Sequence, residues 1–215
     1  KAGLETARAA MAQVPLTLEG SSVLHQMLRV RWTAWKALSE GDRKALAEEA
    51  AAVFGPLEQE GKSAVYSVLG HKADLLILHF RDSMDELNSA ELRLNNLRLH
   101  SYVEPMTSYL SVIELGLYDS SVKLFRSLAE RGVTPHTPEW NREVEETAQR
   151  QREAMRSRLY PKIPAARYIC FYPMDRKRGE DKNWYTLPIE ERQRQMGEHG
   201  EVGRRYAGKV QQIIS

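Results

Sequence analysis

The sequence predicts an α+β fold made of two tandem ferredoxin-like units, of which the second is incomplete. Two observations predict this fold. Over residues 22–116 the hydrophobic patterns follow the order strand, helix, strand, strand, helix, strand, which is the β-α-β-β-α-β order of a ferredoxin-like unit with its helices on one face of an antiparallel sheet. After a polar connection, a strand–helix–strand order begins again at residue 167 and then stops.

Six elements make up the first unit. The run 73–80 (ADLLILHF) is the clearest of them, because a continuous apolar run of this length is typical of a buried strand. Asp82 or Ser83 can cap the helix that follows, and Gly41 weakens the first half of the earlier helix. The elements are predicted at 23–32 (strand), 35–54 (helix), 64–69 (strand), 73–80 (strand), 84–98 (helix) and 109–115 (strand).

The second unit is predicted from a shorter set of patterns. Pro138 opens a surface helix that runs to about residue 158, within the polar connection. A strand at 167–172 (RYICFY), a helix at 188–198 with proline in its first turn and a strand at 209–214 (KVQQII) then follow. A half-unit leaves a sheet edge uncovered, so we expect a fragment, or a missing half supplied by another chain. The predicted domains are 1–118, a helical connection at 119–160, and a truncated half at 161–215.

Composition narrows the class of protein. The 31 Lys and Arg residues nearly balance 29 Asp and Glu residues, for a formal net charge of +2, which is far from the basicity of a general nucleic-acid binder. Cys170 is the only cysteine, so neither an intramolecular disulfide nor a cysteine-cage metal site can form. The first residues lack the apolar core of a signal peptide, and no run approaches membrane-spanning length. We therefore expect a cytoplasmic protein without a nucleic-acid partner.

Histidine is the first candidate for chemistry, and two interpretations of His199 stay open. It lies between Gly197 and Gly200, which permit close backbone approach to a bulky group. A histidine at a helix end is often structural, because its cation suits a helix C-terminus, but a single imidazole is also all that a haem iron requires on one side. His79, within an apolar run, favours a hydrogen-bonded core histidine. The histidines other than His199 show no metal-ligand spacing.

Aromatic and basic residues near the second unit also allow alternatives. Tyr172 ends the predicted strand before Pro173, so it is either a strand-end aromatic or a redox tyrosine that faces a pocket. Trp184 and Tyr185 can both be core residues. The run 176–178 (RKR) fits a nucleic-acid patch, a solvated loop, or a guanidinium contact to a carboxylate ligand.

Several segments together carry a family resemblance: ARYICFYPMDRKR, NWYTLPIEER and EHGEVGRRYAGKVQQII, with YSVLGHKADLLILHF and the residues that follow it. In these segments the chain resembles the coproheme decarboxylases of the chlorite dismutase-like superfamily. The resemblance implies two tandem ferredoxin-like halves of the dimeric αβ-barrel type in each subunit, assembled as a homopentamer. It also implies that the family's sequence continues beyond residue 215 with a further strand, helix and strand.

The resemblance further implies an oxidoreductase of haem biosynthesis. Its substrate and cofactor would be iron-coproporphyrin III, and hydrogen peroxide would remove two propionates as carbon dioxide to give haem b. His199 matches the iron ligand, and Tyr172 matches the tyrosine that becomes a radical. Arg158 and Tyr118 match residues that contact propionates. Another haem peroxidase of the superfamily, or a haem-binding or structural subunit without turnover, are the alternatives.

The remaining matched positions concern the pocket. Met174 and Trp184 match residues that line it. Arg176 stands where the family usually has lysine, so the positive charge is kept but a possible proton donor is lost, because arginine stays protonated. Gln212 stands where chlorite-degrading relatives carry an arginine, and a neutral amide there argues against chlorite as the substrate.

Overall fold

The structure, a computed structural model, describes residues 14–213, with eleven numbered helices and strands and two short 3-10 helices. None of the described helices combines the length and apolar character needed to cross a membrane. In chain order the elements are β1 (Thr17–Val30), α1 (Trp32–Ala37), α2 (Glu40–Gln59), β2 (Ser63–Ser67), β3 (Leu75–Arg81), α3 (Met84–Asn95), a 3-10 helix (Arg98–Tyr102), β4 (Val103–Gly116), α4 (Tyr118–Glu130), α5 (Pro138–Ala154), α6 (Arg156–Leu159), a 3-10 helix (Trp184–Thr186) and α7 (Ile189–Arg204).

The four strands form one sheet with the order β2-β3-β1-β4. β1 pairs antiparallel with β3, so that Leu28 lies opposite Leu75. β2 pairs antiparallel with the other side of β3, so that Val65 lies opposite Ile77. The α+β class is confirmed, and the elements up to Gly116 follow the predicted order except that two helices replace the one predicted between β1 and β2.

The chain divides into two compact units. The sheet unit contains residues 20–113 and 160–170, and the helical unit contains the described residues of 1–19, 114–159 and 171–213. The core of the sheet unit forms where α2, α3 and the residues before β4 meet the sheet; it consists of Leu28, Phe54, Ile77, Leu94, Leu97 and Val103. In the helical unit, Leu18, Leu117 and Leu159 form a second buried cluster.

Helix capping explains one difference from the prediction. The single helix predicted over 35–54 is wrong: α1 ends at Ala37, and α2 begins at Glu40 and continues to Gln59. The break lies at Ser39, whose extended backbone and side-chain oxygen cap α2 by accepting from the Asp42 amide at 3.0 Å. Of the two capping candidates before α3, Ser83 caps it through the Glu86 amide.

The structure differs most from the sequence-based prediction in the second unit. The strand predicted at 167–172 is wrong, since those residues are irregular and Tyr168 is 78% exposed. The strand predicted at 209–214 is also wrong over residues 209–213, which form a turn end and an irregular segment, and residue 214 lies outside the described residues. A strand needs a neighbouring strand to pair with, and no described strand pairs with either segment.

A buried polar network lies on the sheet unit's β2 and β3. His79 is 1% exposed, which confirms a core histidine, and its Nδ1 lies 2.7 Å from Ser63 Oγ. Arg81 Nη2 donates to the same Oγ at 3.0 Å. Ser63 Oγ therefore contacts both the imidazole and the guanidinium. Among the described residues, His79 Nε2 has no hydrogen-bond partner.

We expect this histidine to make the protein sensitive to mild acid. Burial, with a smaller contribution from the Arg81 charge, lowers the pKa of His79 from 6.5 to about 4. A lowered pKa stabilises the fold above pH 6.5, and that stability is lost as the pH falls towards 4. Between pH 7 and pH 5 the loss should be about 2 kcal/mol from this group.

Urea unfolding at the two pH values measures this loss. His79→Gln removes the titration, so its unfolding free energy should fall less over the same range than that of the wild type. His71→Gln, at an exposed turn position, is the matched control and should keep the wild-type dependence. An equal dependence in His79→Gln would contradict the assignment.

Candidate functional site

A short hairpin in the helical unit carries several of the predicted site residues. Arg178 and Asn183 form an antiparallel bridge, the Gly179 amide donates to the Lys182 carbonyl at 3.0 Å, and the Trp184 amide donates to the Lys177 carbonyl at 2.9 Å. Gly179 suits this turn, because an added Cβ would lie 3.2 Å from the Lys182 carbonyl oxygen, tighter than ordinary van der Waals contact. The hairpin thus fixes the 3-10 turn that follows it.

The Trp184 ring is the centre of a cluster. The Arg176 guanidinium carbon lies 4.9 Å from the centroid of this ring, a cation–π contact. Tyr118, the first residue of α4, meets the same ring edge-on, with the two centroids 6.4 Å apart and the planes at 75°. Arg176 Nη2 also lies 3.7 Å from Met196 Sδ on α7. Arg176 and the start of α4 therefore meet at one aromatic ring, and α7 joins the cluster through its contact with Arg176.

Helix α7 packs on α4 with Ile189 and Arg192 buried. Gln193 Nε2 donates to Asp119 Oδ1 at 3.0 Å, which ties the two helices together. Along the outer side of α7, Arg194 donates to both Glu191 and Glu198. The Arg194 hydrogen bond, and then that of Gln195, lower the pKa of Glu191 to about 2. This acid stays ionised and neutralises a nearby arginine.

His199 lies inside α7, one turn after Met196, whereas the sequence predicts it just beyond the helix. Residues three apart lie on the same side of a helix, so the side chains of Met196 and His199 lie on the same side of α7. His199 is exposed and accessible to a ligand. Within residues 14–213 no group of three or more His, Cys, Asp or Glu side chains could hold a metal ion by itself. A haem iron does not need such a group, because the porphyrin supplies its other ligands.

The other predicted site residues are not brought into the cluster, although all of them lie in the helical unit. Tyr172 is 59% exposed and Met174 is 74% exposed, both on an irregular segment. Arg158, in α6, is exposed with its Nη1 3.7 Å from Met155 Sδ, and Gln212 is exposed near the end of the described chain. The structure thus groups Tyr118, Arg176 and Trp184.

Two residues that sequence reasoning left without a role also contact this site. Met196 touches Arg176, and Tyr185 contacts Arg178. The sequence signal for Met196 is its position one helical turn before His199. For Tyr185 the signal is its place beside Trp184 in the NWY segment. These two aromatic residues follow the basic run 176–178.

Known proteins share both the sequence and the fold of this chain. The sequence profile of a family described as chlorite dismutase matches residues 43–215. A putative heme-binding protein of Halobacterium salinarum is 38% identical over 210 residues, which are 95% of this chain and 39% of that protein. The chain thus spans well under half the length of this curated relative. A solved heme-binding protein of Thermus thermophilus is 34% identical, with a TM-score of 0.70, over 94% of this chain and 73% of its own.

The hairpin should open when the Trp184 ring is removed. Trp184→Leu loses the contacts to Arg176 and Tyr118, each worth about 1 kcal/mol, so cleavage by trypsin at residues 176–178 should become roughly thirtyfold faster. Trp184→Phe keeps an aromatic ring and should stay close to the wild-type rate. Mass spectrometry of the fragments identifies the cleavage sites. Cleavage at the same rate in Trp184→Leu and in the wild type would show that the ring does not hold the hairpin.

Proposed function

The chain belongs to the chlorite dismutase family, and on that premise we propose that it binds iron-coproporphyrin III and oxidatively decarboxylates two of its propionates to give haem b. Hydrogen peroxide is the oxidant. The observation that carries the proposal is the convergence of Arg176, Trp184 and Tyr118 beside Met196, one helical turn from His199. The relatives from Halobacterium and Thermus, which are described as heme-binding proteins, support the same ligand class.

The side chains present fit an iron porphyrin with several carboxylates. Such a ligand needs one axial imidazole, an aromatic or apolar wall and cations for its propionates. His199 supplies an accessible imidazole, Trp184 and Met196 supply the wall, and Arg176 supplies a guanidinium. Arg158 supplies a second cation in the same unit.

The balance of the reaction defines what the protein must do. Each propionate loses carbon dioxide, one proton and two electrons as it becomes a vinyl group. One hydrogen peroxide takes up the two electrons, that proton and a second proton from solvent to give two molecules of water. The iron porphyrin, when bound, supplies the oxidising chemistry. The protein must hold the carboxylates in place and provide one phenol that can give up a proton and an electron.

Each proposed residue has a separate task. His199 would hold the iron through a neutral ring nitrogen, and its other nitrogen would donate to an acceptor that fixes the tautomer. Tyr172 gives up its proton and an electron to become a radical beside a propionate, and its 59% exposure leaves the phenol accessible to the ligand. Arg158, Arg176 and Tyr118 hold propionates, and Met174 lines the pocket. Gln212 is neutral, which favours uncharged peroxide over anionic chlorite.

The proposal extends to assembly and location. As the resemblance implies, we propose a homopentamer whose subunits contain two ferredoxin-like halves, working in the cytoplasm. Light scattering of the purified protein tests the pentamer.

One experiment separates the proposed activity from its alternatives. The protein is titrated with iron-coproporphyrin III, hydrogen peroxide is added, and the porphyrins are identified by mass. Stepwise loss of two carboxyl groups supports the decarboxylase. Oxidation of a dye without carboxyl loss indicates another haem peroxidase, and a change in the Soret band without turnover indicates a haem-binding protein.

Tyr172→Phe should keep the affinity for iron-coproporphyrin III and lose decarboxylation by at least about a hundredfold, because phenylalanine has no O–H to give up. The measurement is the mass-resolved rate of carboxyl loss. Tyr168→Phe is the matched control, since this exposed tyrosine lies in the same irregular segment and should keep full activity. Full activity in Tyr172→Phe would overturn the assignment.

His199→Ala should abolish the absorption spectrum of a histidine-ligated ferric porphyrin, because the iron loses its axial nitrogen. The spectrum is recorded after loading with iron-coproporphyrin III, and added imidazole should restore it in part. His71→Ala, at an exposed turn in the sheet unit, should leave the spectrum unchanged. An unchanged spectrum in His199→Ala would move the ligand to another residue.

A further inference from the structure

Arg178 is held by one aromatic side chain through two contacts. Its guanidinium carbon lies 4.4 Å from the centroid of the Tyr185 ring, and its Nη2 donates to the Tyr185 hydroxyl at 3.1 Å. The Asp175 carboxylate is 3.8 Å from Arg178 Nε, which is too long for a hydrogen bond. Tyr185 therefore determines where this guanidinium lies.

The backbone holds both members of this pair. Arg178 forms the antiparallel bridge with Asn183, and the Asn183 side-chain oxygen accepts from the Tyr185 amide at 2.9 Å. The cation and the ring thus belong to one hairpin whose turn is closed by backbone hydrogen bonds. A guanidinium positioned in this way loses less conformational entropy when it binds a ligand.

The Arg178 guanidinium is still available to a ligand. Its side chain is 65% exposed, and a guanidinium has five N–H donors in a fork that matches a carboxylate. By contrast, Arg194 on the nearby helix α7 donates to two glutamates, which neutralise it. Arg178 is held mainly by a neutral side chain, so most of its positive charge remains for an incoming anion.

Arg176 and Arg178 are arranged in the same way. Each guanidinium lies against an aromatic ring, and the two rings belong to consecutive residues, Trp184 and Tyr185. The hairpin thus presents two cations on rigid supports, separated by one residue of chain. Such a pair suits a single ligand that carries more than one carboxylate.

We propose that Arg178, positioned by Tyr185, binds a second carboxylate of the porphyrin and makes the site select porphyrins by carboxylate number. The inference rests on the proposed function for its ligand. A porphyrin with four propionates can occupy both Arg176 and Arg178 while other groups hold the rest. Haem b has two carboxylates fewer, so it gains less from Arg178, and this difference favours release of the product over the substrate.

Selectivity is tested by binding without peroxide. The dissociation constants of iron-coproporphyrin III and of haem b are measured by Soret titration for each variant, and their ratio is the readout. Arg178→Gln should weaken binding of iron-coproporphyrin III roughly tenfold and that of haem b less than about twofold. Arg178→Lys should not restore the ratio, because lysine lacks the fork. Tyr185→Phe should shift the ratio part of the way, since the ring remains but the hydroxyl is lost.

Arg167→Gln is the matched control. The Arg167 guanidinium also lies over a tyrosine ring, that of Tyr168 at 5.4 Å, but this pair belongs to the sheet unit. It should leave the ratio unchanged. Equal weakening of both porphyrins in Arg178→Gln would overturn the proposal and indicate a structural role, and no change in either constant would overturn it as well.

The outcomes also separate this inference from the proposed function. If the wild type selects iron-coproporphyrin III through Arg178 but releases no carbon dioxide with peroxide, the decarboxylase is wrong and the selectivity stands. If decarboxylation occurs and Arg178→Gln keeps the wild-type ratio, the reverse holds. A wild type that binds neither porphyrin overturns both.

Discussion

The candidate site depends on the contacts of the Trp184 ring. The ring receives the Arg176 guanidinium and the edge of Tyr118, and Arg176 in turn touches Met196 on α7. These residues come from the start of a helix, a hairpin and the middle of another helix. The hairpin has only one backbone bridge and no neighbouring strand among the described residues, so its position depends largely on this ring. The Arg176 guanidinium and the start of α4 meet at this ring, while Tyr185 holds Arg178 and the Gln193–Asp119 hydrogen bond ties α7 to α4.

The cations of the chain are held in two ways, by carboxylates or by aromatic rings. The chain is almost neutral, and many of its surface cations pair with carboxylates, as Lys123 does with Asp119 and Arg194 does with Glu191. The guanidiniums of Arg176 and Arg178 lie against aromatic rings, and the one carboxylate contact of Arg178 among the described ion pairs, to Asp175, is long at 3.8 Å. A ring positions a cation without cancelling its charge, whereas a carboxylate positions the cation and also neutralises it. This arrangement suits the recognition of an anionic ligand better than it suits stability.

The two units divide these roles. The sheet unit contains the larger apolar cluster and the buried Ser63, His79 and Arg81 network, in which burial suppresses the histidine charge. The helical unit contains every residue proposed for ligand binding, and most of them are partly or largely exposed. Burial in one unit and exposure in the other explain why the two histidines differ: His79 is a core residue, while His199 is accessible to a ligand.

The sequence by itself determined the elements whose hydrogen bonds are local or whose apolar pattern is long. It predicted the strand and helix order up to Gly116, the capping of α3 and the start of α5 and α7, because helix periodicity and caps are written in neighbouring residues. Through a family resemblance it also named Tyr118, Arg176 and Trp184 individually. It did not predict that their side chains meet, since Tyr118 is far from the other two in the chain and the hairpin that brings Arg176 to Trp184 is not among the predicted elements.

Only the tertiary structure decided the backbone conformation of residues 167–172 and 209–213. Their short apolar patterns suggest strands, but a strand needs the backbone of a partner to satisfy its hydrogen bonds, and a single segment does not contain that information. Tertiary structure also decided that α7 continues past Gly197 and Gly200 to Arg204, so that His199 lies within a helix. A helix satisfies its own backbone, whereas a strand or a binding site is completed by residues that lie elsewhere in the chain.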